Sequence, residues 1–277
     1  MKEDSTYAKK FTALMKKICK AHKSVDVLQL EPTTQLIISF MEWNTTHAMA
    51  LEAHDTLMKV MVDNNDVRVS LPQEIIHFIG DDYPLAYERA SRMHESLNEL
   101  FNREHDIIIT SLKGKNKKHI KTYFETLPGV TPYVIAQMML LAYGAHAMPV
   151  DDHMHALLKD EQVVHPDCTL AEAESFCERH VKATDALHTH LAMRAWADEY
   201  ELMIPEMTPF TFAASDVKLS EPKKANKTKK AASTTASKTP TTSKVSSSKK
   251  KTVKKVVSKK EASTSTSKKT SKPSKKG

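Results

Sequence analysis

Glycine is almost missing from this chain: five occur in 277 residues, at positions 80, 114, 129, 144 and 277. Such scarcity suits a mainly helical protein with short connections. Cysteine is equally sparse, and Cys19, Cys168 and Cys177 cannot build a disulfide framework, so an intracellular, reducing compartment is expected. No apolar run approaches the length of a membrane span, and the opening Met-Lys-Glu-Asp-Ser is too polar for a secretory leader. These absences exclude a membrane protein and a disulfide-stapled secreted domain.

Charge is present but unevenly placed. From Glu221 onward the chain is almost only Lys, Ser, Thr, Ala, Pro and Val, with 19 Lys against 2 Glu, a net charge of +17. Residues 1–220 keep 22 cations against 32 carboxylates, a net charge of −10. A stretch so poor in large apolar groups cannot offset the entropy of ordering, so 216–277 is expected to be a disordered basic tail. One-sign charge at that density condenses on polyanions by releasing counterions, which points to nucleic acid. The remainder suits compact units with a real core.

Apolar periodicity in that remainder is helical throughout. Tyr7, Phe11, Leu14, Met15 and Ile18 define a helix over 5–22, expected as an N-terminal extension, 1–24. Pro32 opens a second helix with Leu36, Ile37, Phe40 and Met41 inward. A third runs from Ala48 to Val62. Asp63-Asn-Asn-Asp66 reads as a turn, Val67–Ser70 is too short to argue for a strand, and Leu71-Pro72 restarts a helix to Ile79. After Tyr83-Pro84 comes a long helix with Ala90, Met93, Leu97 and Leu100 on one side. Ile120–Thr126, a helix from Thr131 to about Gly144, and helices near 170–181 and 184–200 complete an all-α body over 25–215. Trp196 is expected in its core.

One stretch carries chemistry. Leu127-Pro128-Gly129-Val130 forms a tight hairpin, Thr131 is an N-cap and Pro132 a first helical residue, and Asp151 follows 22 residues after Gly129. A helix of about four turns therefore separates a glycine corner from a carboxylate. Backbone N–H groups at such a helix start can grip a phosphate. This pattern resembles the helix-hairpin-helix signature of the endonuclease III and adenine-mismatch DNA glycosylase superfamily. The helix ending in Trp43-Asn44-Thr45-Thr46 is similar to that family's early helix, with Asn44 at the place of a glutamine facing DNA.

The resemblance implies a two-lobed helix-hairpin-helix DNA glycosylase-like fold that binds double-stranded DNA as a monomer, without a membrane. Its hairpin, Leu127, Pro128, Gly129, Val130 and Thr131, would contact the DNA backbone. Asp151 would be the carboxylate that stabilises an oxocarbenium-like sugar as the N-glycosidic bond of a flipped base breaks. From residue type alone, Asp151 and Asp152 serve equally well as caps of a helix starting near His153. Tyr133 stands where strand-cutting members carry a Schiff-base lysine, so lyase chemistry by that route is excluded and a base-removing enzyme remains. Packing is the alternative role for Tyr133.

Thr131 replaces the family's second glycine, and Pro132 removes an N–H donor, which leaves open a fold retained with its enzyme lost. The family's iron–sulfur cluster cannot form within one chain, since only Cys168 and Cys177 follow Asp151. No cofactor and no metal are expected. His153, His155, His188 and His190 alternate in a poor zinc pattern and read as solvated. Lys113, Lys115, Lys117 and Lys118 are expected to reach the DNA backbone beside the hairpin. Two function classes stay open: a base-excision glycosylase without lyase activity, and a non-enzymatic DNA-binding protein on a degenerate glycosylase fold. A third, an interaction scaffold whose tail alone touches nucleic acid, is weaker. In each the protein is intracellular and DNA-associated.

Overall fold

The computed structural model describes residues 4–23 and 29–204. The basic segment from 216 onward, read above as a disordered tail, lies outside the described residues. Among those residues there are eleven α-helices and no strand. They are α1 (Asp4–Ala21), α2 (Pro32–Glu42), α3 (His47–Val60), α4 (Asn64–Val69), α5 (Pro72–Ile79) and α6 (Ala86–Glu104). They continue as α7 (Lys117–Glu125), α8 (Pro132–Gln137), α9 (Asp152–Asp160), α10 (Leu170–His180) and α11 (Ala186–Ala197). No described helix is long and apolar enough to cross a membrane.

Two groups of helices share one core. α2 to α6 pack on one another, and α11 packs on α1 and α9. The seam is α2 against α8 and the π-helical segment Met138–Ala142 that continues α8. A π turn inserts one extra residue per turn and so shifts the apolar face, and Met138, Met139, Leu140 and Ala142 are all buried. α1 is less peripheral than an extension: Phe11 is fully buried edge-to-face on Phe176 of α10, and Ile18 is buried with it.

Local chemistry explains most boundaries. Glu31 caps α2 through its carboxylate, accepting from the N–H groups of Thr33 and Thr34 at 2.9 and 3.1 Å, with Pro32 as first residue. Thr46 caps α3, Asn116 caps α7, and Thr169 with Glu172 forms a reciprocal capping box on α10. The segment expected as a turn, 63–66, is instead the start of α4. Asp63 Oδ1 accepts from Asn65 N and Asp66 N at 2.8 and 3.1 Å, and the helix runs on through Val67, whose side chain is buried. Two near-adjacent valines hide that helix from periodicity, because six residues give too few turns to register a period.

Candidate nucleic-acid interface and buried carboxylate site

The hairpin sits between α7 and α8 and is clamped by α6. Gly129 has φ of +79°, and a Cβ there would lie 2.6 Å from the Arg92 carbonyl oxygen, so only glycine fits. Arg92 donates from Nη1 to the Gly129 carbonyl at 3.1 Å, and the Ser96 hydroxyl donates to the Pro128 carbonyl. Arg103 donates to the Thr126 carbonyl at 2.6 Å, closing the end of α7. Arg92, Ser96 and Arg103 fall within about 40° on α6 at ~100° per residue. The hairpin carbonyls are thus turned into the protein. Among the described residues the N–H groups of Gly129, Val130 and Thr131 meet no acceptor. Pro128 and Pro132 flank them at the surface, Leu127 is buried as an anchor, and the Thr131 hydroxyl accepts from Val134 N at 3.4 Å.

The basic loop is elsewhere. Lys113, Lys115 and Lys118 are exposed at the N-terminal end of α7, whereas the hairpin is at its C-terminal end, about 13 Å away for nine residues. Lys117 Nζ is occupied, 2.7 Å from Glu178 Oε1 and bonded to the His146 carbonyl. These lysines are therefore not beside the hairpin; any shared DNA contact spans both ends of α7.

Asp151 is the N-cap of α9 and is 1 % exposed. Its Oδ1 accepts from Met154 N at 2.8 Å. Its Oδ2 accepts from Asn44 N and from the Arg194 guanidinium, both at 3.2 Å. Asn44 is fully buried with φ of +53°, and its side chain brackets Asp152: Nδ2 donates to Asp152 Oδ2 at 2.9 Å and Oδ1 accepts from Asp152 N at 3.0 Å. The residue expected to face DNA thus ties the C-terminal turn of α2 to the start of α9.

Arg194, from α11, organises the whole cluster. The same Nη1 that meets Asp151 donates to the Tyr133 hydroxyl at 3.0 Å. Nη2 donates to the carbonyls of Glu42, at 2.9 Å, and Thr45. Nε lies 3.5 Å from Glu42 and 3.6 Å from Asp198. Glu42 in turn holds His47 Nδ1 at 2.6 Å and accepts from Gln137 Nε2, which also donates to the Tyr133 hydroxyl at 3.0 Å. Burial alone would raise the Glu42 carboxyl, but Arg194 and His47 outweigh it and hold it at about 2. Burial, opposed by Arg194, pushes the Tyr133 phenol well above its ordinary range. Burial also lowers His190, beside the cluster, to about 4.

A second buried arginine completes the frame: Arg89 of α6 donates to the carbonyls of Phe40, Trp43 and Pro84. Both ends of the bend after α2 are therefore closed by guanidinium groups, whose planar fork can serve several carbonyls at once. The histidines also differ from expectation. His153 and His190 are buried rather than solvated, and His153 Nε2 lies 3.0 Å from the Ala197 carbonyl, because α9 packs on α11 there.

Periodicity missed Arg194 and Arg89, since arginine reads as surface. A usable signal exists: Leu191-Ala-Met-Arg194-Ala-Trp-Ala197 leaves this arginine without a polar face to join. Chemically, the arrangement leaves the N–H groups of 129–131 without a protein acceptor among the described residues, at buried Gly129 and Thr131 and half-buried Val130, with a neutralised carboxylate behind them.

Comparison with solved structures finds this fold at low sequence identity. An endonuclease III trapped as a covalent DNA intermediate gives a TM-score of 0.54 at 16% identity, over 68% of this chain and 85% of that one. A thermostable thymine-DNA glycosylase gives 0.50 at 18%, over 70% and 87%. The Clostridium acetobutylicum 8-oxoguanine glycosylase/lyase, solved with double-stranded DNA, gives 0.52 at 16%, over 70% of each chain. No protein-family model and no curated protein sequence matches the chain.

Proposed function

From a helix-hairpin-helix DNA glycosylase fold as the premise, we propose that this chain binds duplex DNA and does not excise bases, Asp151 having become a structural cap. The observation that carries this reading is the Asp151 carboxylate itself: 1 % exposed, with Met154 N, Asn44 N and Arg194 on its two oxygens. A carboxylate stabilises an oxocarbenium-like sugar by its unspent negative charge, and it must reach C1′ to do so. Here the charge is met by a guanidinium and the approach is filled by protein. DNA binding is supported by the unmatched hairpin N–H donors and by the +17 charge of 221–277. The DNA carried by the endonuclease III and 8-oxoguanine glycosylase structures accords with it.

One observation favours a second reading, a base-removing glycosylase without lyase activity. Asp151 and Tyr133 share the same Arg194 nitrogen, so withdrawal of this single side chain would leave a carboxylate beside a phenol at the hairpin helix. Tyr133 cannot form a Schiff base, so strand cutting through it is excluded in either reading.

The test is incubation of the full chain with duplexes bearing a panel of damaged and mismatched bases, followed by alkaline cleavage of abasic sites. The expected outcome is binding by fluorescence anisotropy with no base release. Base release that disappears in Asp151→Asn would overturn the proposal and establish the glycosylase. Binding across a salt series, for the full chain and for 1–220, should show a steeper log–log slope for the full chain, about −0.9 per phosphate neutralised.

A further inference from the structure

The face of the protein behind α6 carries an open groove of about 600 Å³ between the end of α3, α4 and α5. Its floor holds Met61 and Phe78, and its rim is Val60, Val69, Asp66 and Glu74. Around it four aliphatic side chains stand in solvent: Val60 at 55 %, Val62 at 91 %, Val69 at 55 % and Leu71 at 57 % exposure. Single exposed aliphatics are ordinary, but Val60 and Val69 line the groove itself together with Met61 and Phe78, and an apolar lining left in solvent marks an interaction surface. The charge on the lining is one-sided, with Asp66 and Glu74 and no Lys or Arg, and the stretch of chain that supplies it is acidic. Residues 47–82 hold seven carboxylates, Glu52, Asp55, Asp63, Asp66, Glu74, Asp81 and Asp82, against the two cations Lys59 and Arg68.

The groove is also remote from the hairpin. His94 and Asn98 of α6 bond to Ser70 and Arg68, and Arg68 stacks 4.2 Å over Phe101. At ~100° per residue these three lie about 140–240° around α6 from Arg92 and Ser96, which hold the hairpin.

We infer that this groove docks a cationic amphipathic helix of a protein partner. The apolar stripe of the helix would lie on Val60, Val69 and Phe78, with its lysines or arginines over the acidic surround. α5, at eight residues, is about 12 Å long and accommodates roughly two turns of such a helix, read at i, i+4 and i+7. A second copy of this chain is a poorer occupant, since two faces of the same negative sign would meet. The docked helix and DNA at the hairpin occupy opposite sides of α6, so both can be bound together. The groove does not depend on whether Asp151 is catalytic.

The probe is a labelled 14-residue helix of leucine at i, i+4 spacing with lysine elsewhere, titrated into the full chain. Two controls are a leucine–glutamate helix and a serine–lysine peptide of equal charge. Saturable binding of the leucine–lysine helix alone is expected, with amide shifts confined to 60–78. Val69→Lys with Gln73→Lys, both exposed positions, should weaken it at least tenfold without changing helix content or Tm. Equal binding by either control, unchanged binding in the double variant, or shifts mapping elsewhere would overturn the inference. Self-association in sedimentation that the double variant abolishes would also overturn it, by making a second copy the occupant.

Discussion

The hairpin and the carboxylate site meet at the start of one helical run, where Thr131 caps α8 and Tyr133 and Gln137 bond the Arg194 and Glu42 cluster, and they are finished in opposite ways. At the hairpin, carbonyls are spent on α6 and the N–H donors of residues 129–131 are left unmatched among the described residues. At the carboxylate site acceptors are in excess, and Arg194 is recruited to neutralise them. A site that waits for an anion leaves donors open, whereas a site that waits for a developing cation leaves a carboxylate open. On the proposed function only the first condition is met here, and the two parts of the hairpin-and-aspartate pattern are separable: anion binding would persist on a scaffold whose carboxylate is part of the core.

The strongest way to break that contrast is to remove the guanidinium. Arg194→Met leaves Glu42 and Asp151 buried without their shared cation, and loss of one partner of a buried pair costs about 3–5 kcal/mol. Urea unfolding of the variant should show this loss while duplex affinity, measured where both proteins are folded, stays within about twofold. A cost below about 1 kcal/mol would mean that Arg194 is a displaceable lid rather than a keystone.

Acid should attack the same site and spare the hairpin. His190 is held at about 4, below its ordinary 6.5, so the unfolded chain binds more protons between those values. Its contribution is present above pH 6.5 and is lost as pH falls to about 4. Glu42, held at about 2 against 4.5, contributes stability above pH 4.5 that is lost as pH falls towards 2. Each shift corresponds to stability on the order of 3 kcal/mol. His47, raised by its bond to Glu42, works in the other direction and stabilises only below its folded value. Chemical denaturation from pH 8 to 3 should show stability falling from near 6.5, and His190→Gln should flatten the upper part of that fall.

At the hairpin, Gly129→Ala sets a Cβ at 2.6 Å from the Arg92 carbonyl and in a left-handed conformation. The two effects together should cost about 2–4 kcal/mol. Because the corner aims the N–H groups, duplex affinity of the still-folded fraction should fall with it. Preserved affinity would move DNA binding away from the hairpin.

Much of this was legible in the residues. Glycine at 129, threonine and proline at 131 and 132, and aspartate at 151 announce a hairpin, a capped helix and a second cap, and each is where spacing put it. What composition could not express is which way a polar side chain turns. Asn44 read as an interface residue because its partner, Asp152, lies 108 positions away. Arg194 gave no sequence signal of its role because the acceptors it serves, Glu42, Thr45, Tyr133 and Asp151, come from three separate stretches of chain. Lys117 read as free because Glu178 is 61 positions distant. Local signals fix caps and corners; the closing of a site is decided by long-range pairs.

The smallest change is the sharpest test of the contrast. In Asp151→Asn the cap survives, since asparagine is as good an N-cap as aspartate and its oxygen can still accept from Met154 N. The other oxygen becomes an amide, a donor facing two donors, Asn44 N and the Arg194 guanidinium. One unmatched buried pair of this kind costs about 1–3 kcal/mol, eased here because Arg194 keeps Glu42 and the two carbonyls. If Asp151 is structural, the variant should be less stable by roughly 1–2 kcal/mol in urea and bind duplex DNA as before. A residue held for chemistry behaves in the opposite sense, because active sites keep groups that oppose folding and their removal commonly stabilises. A rise in stability in Asp151→Asn would therefore place Arg194 as a lid over a working carboxylate and return the site to catalysis.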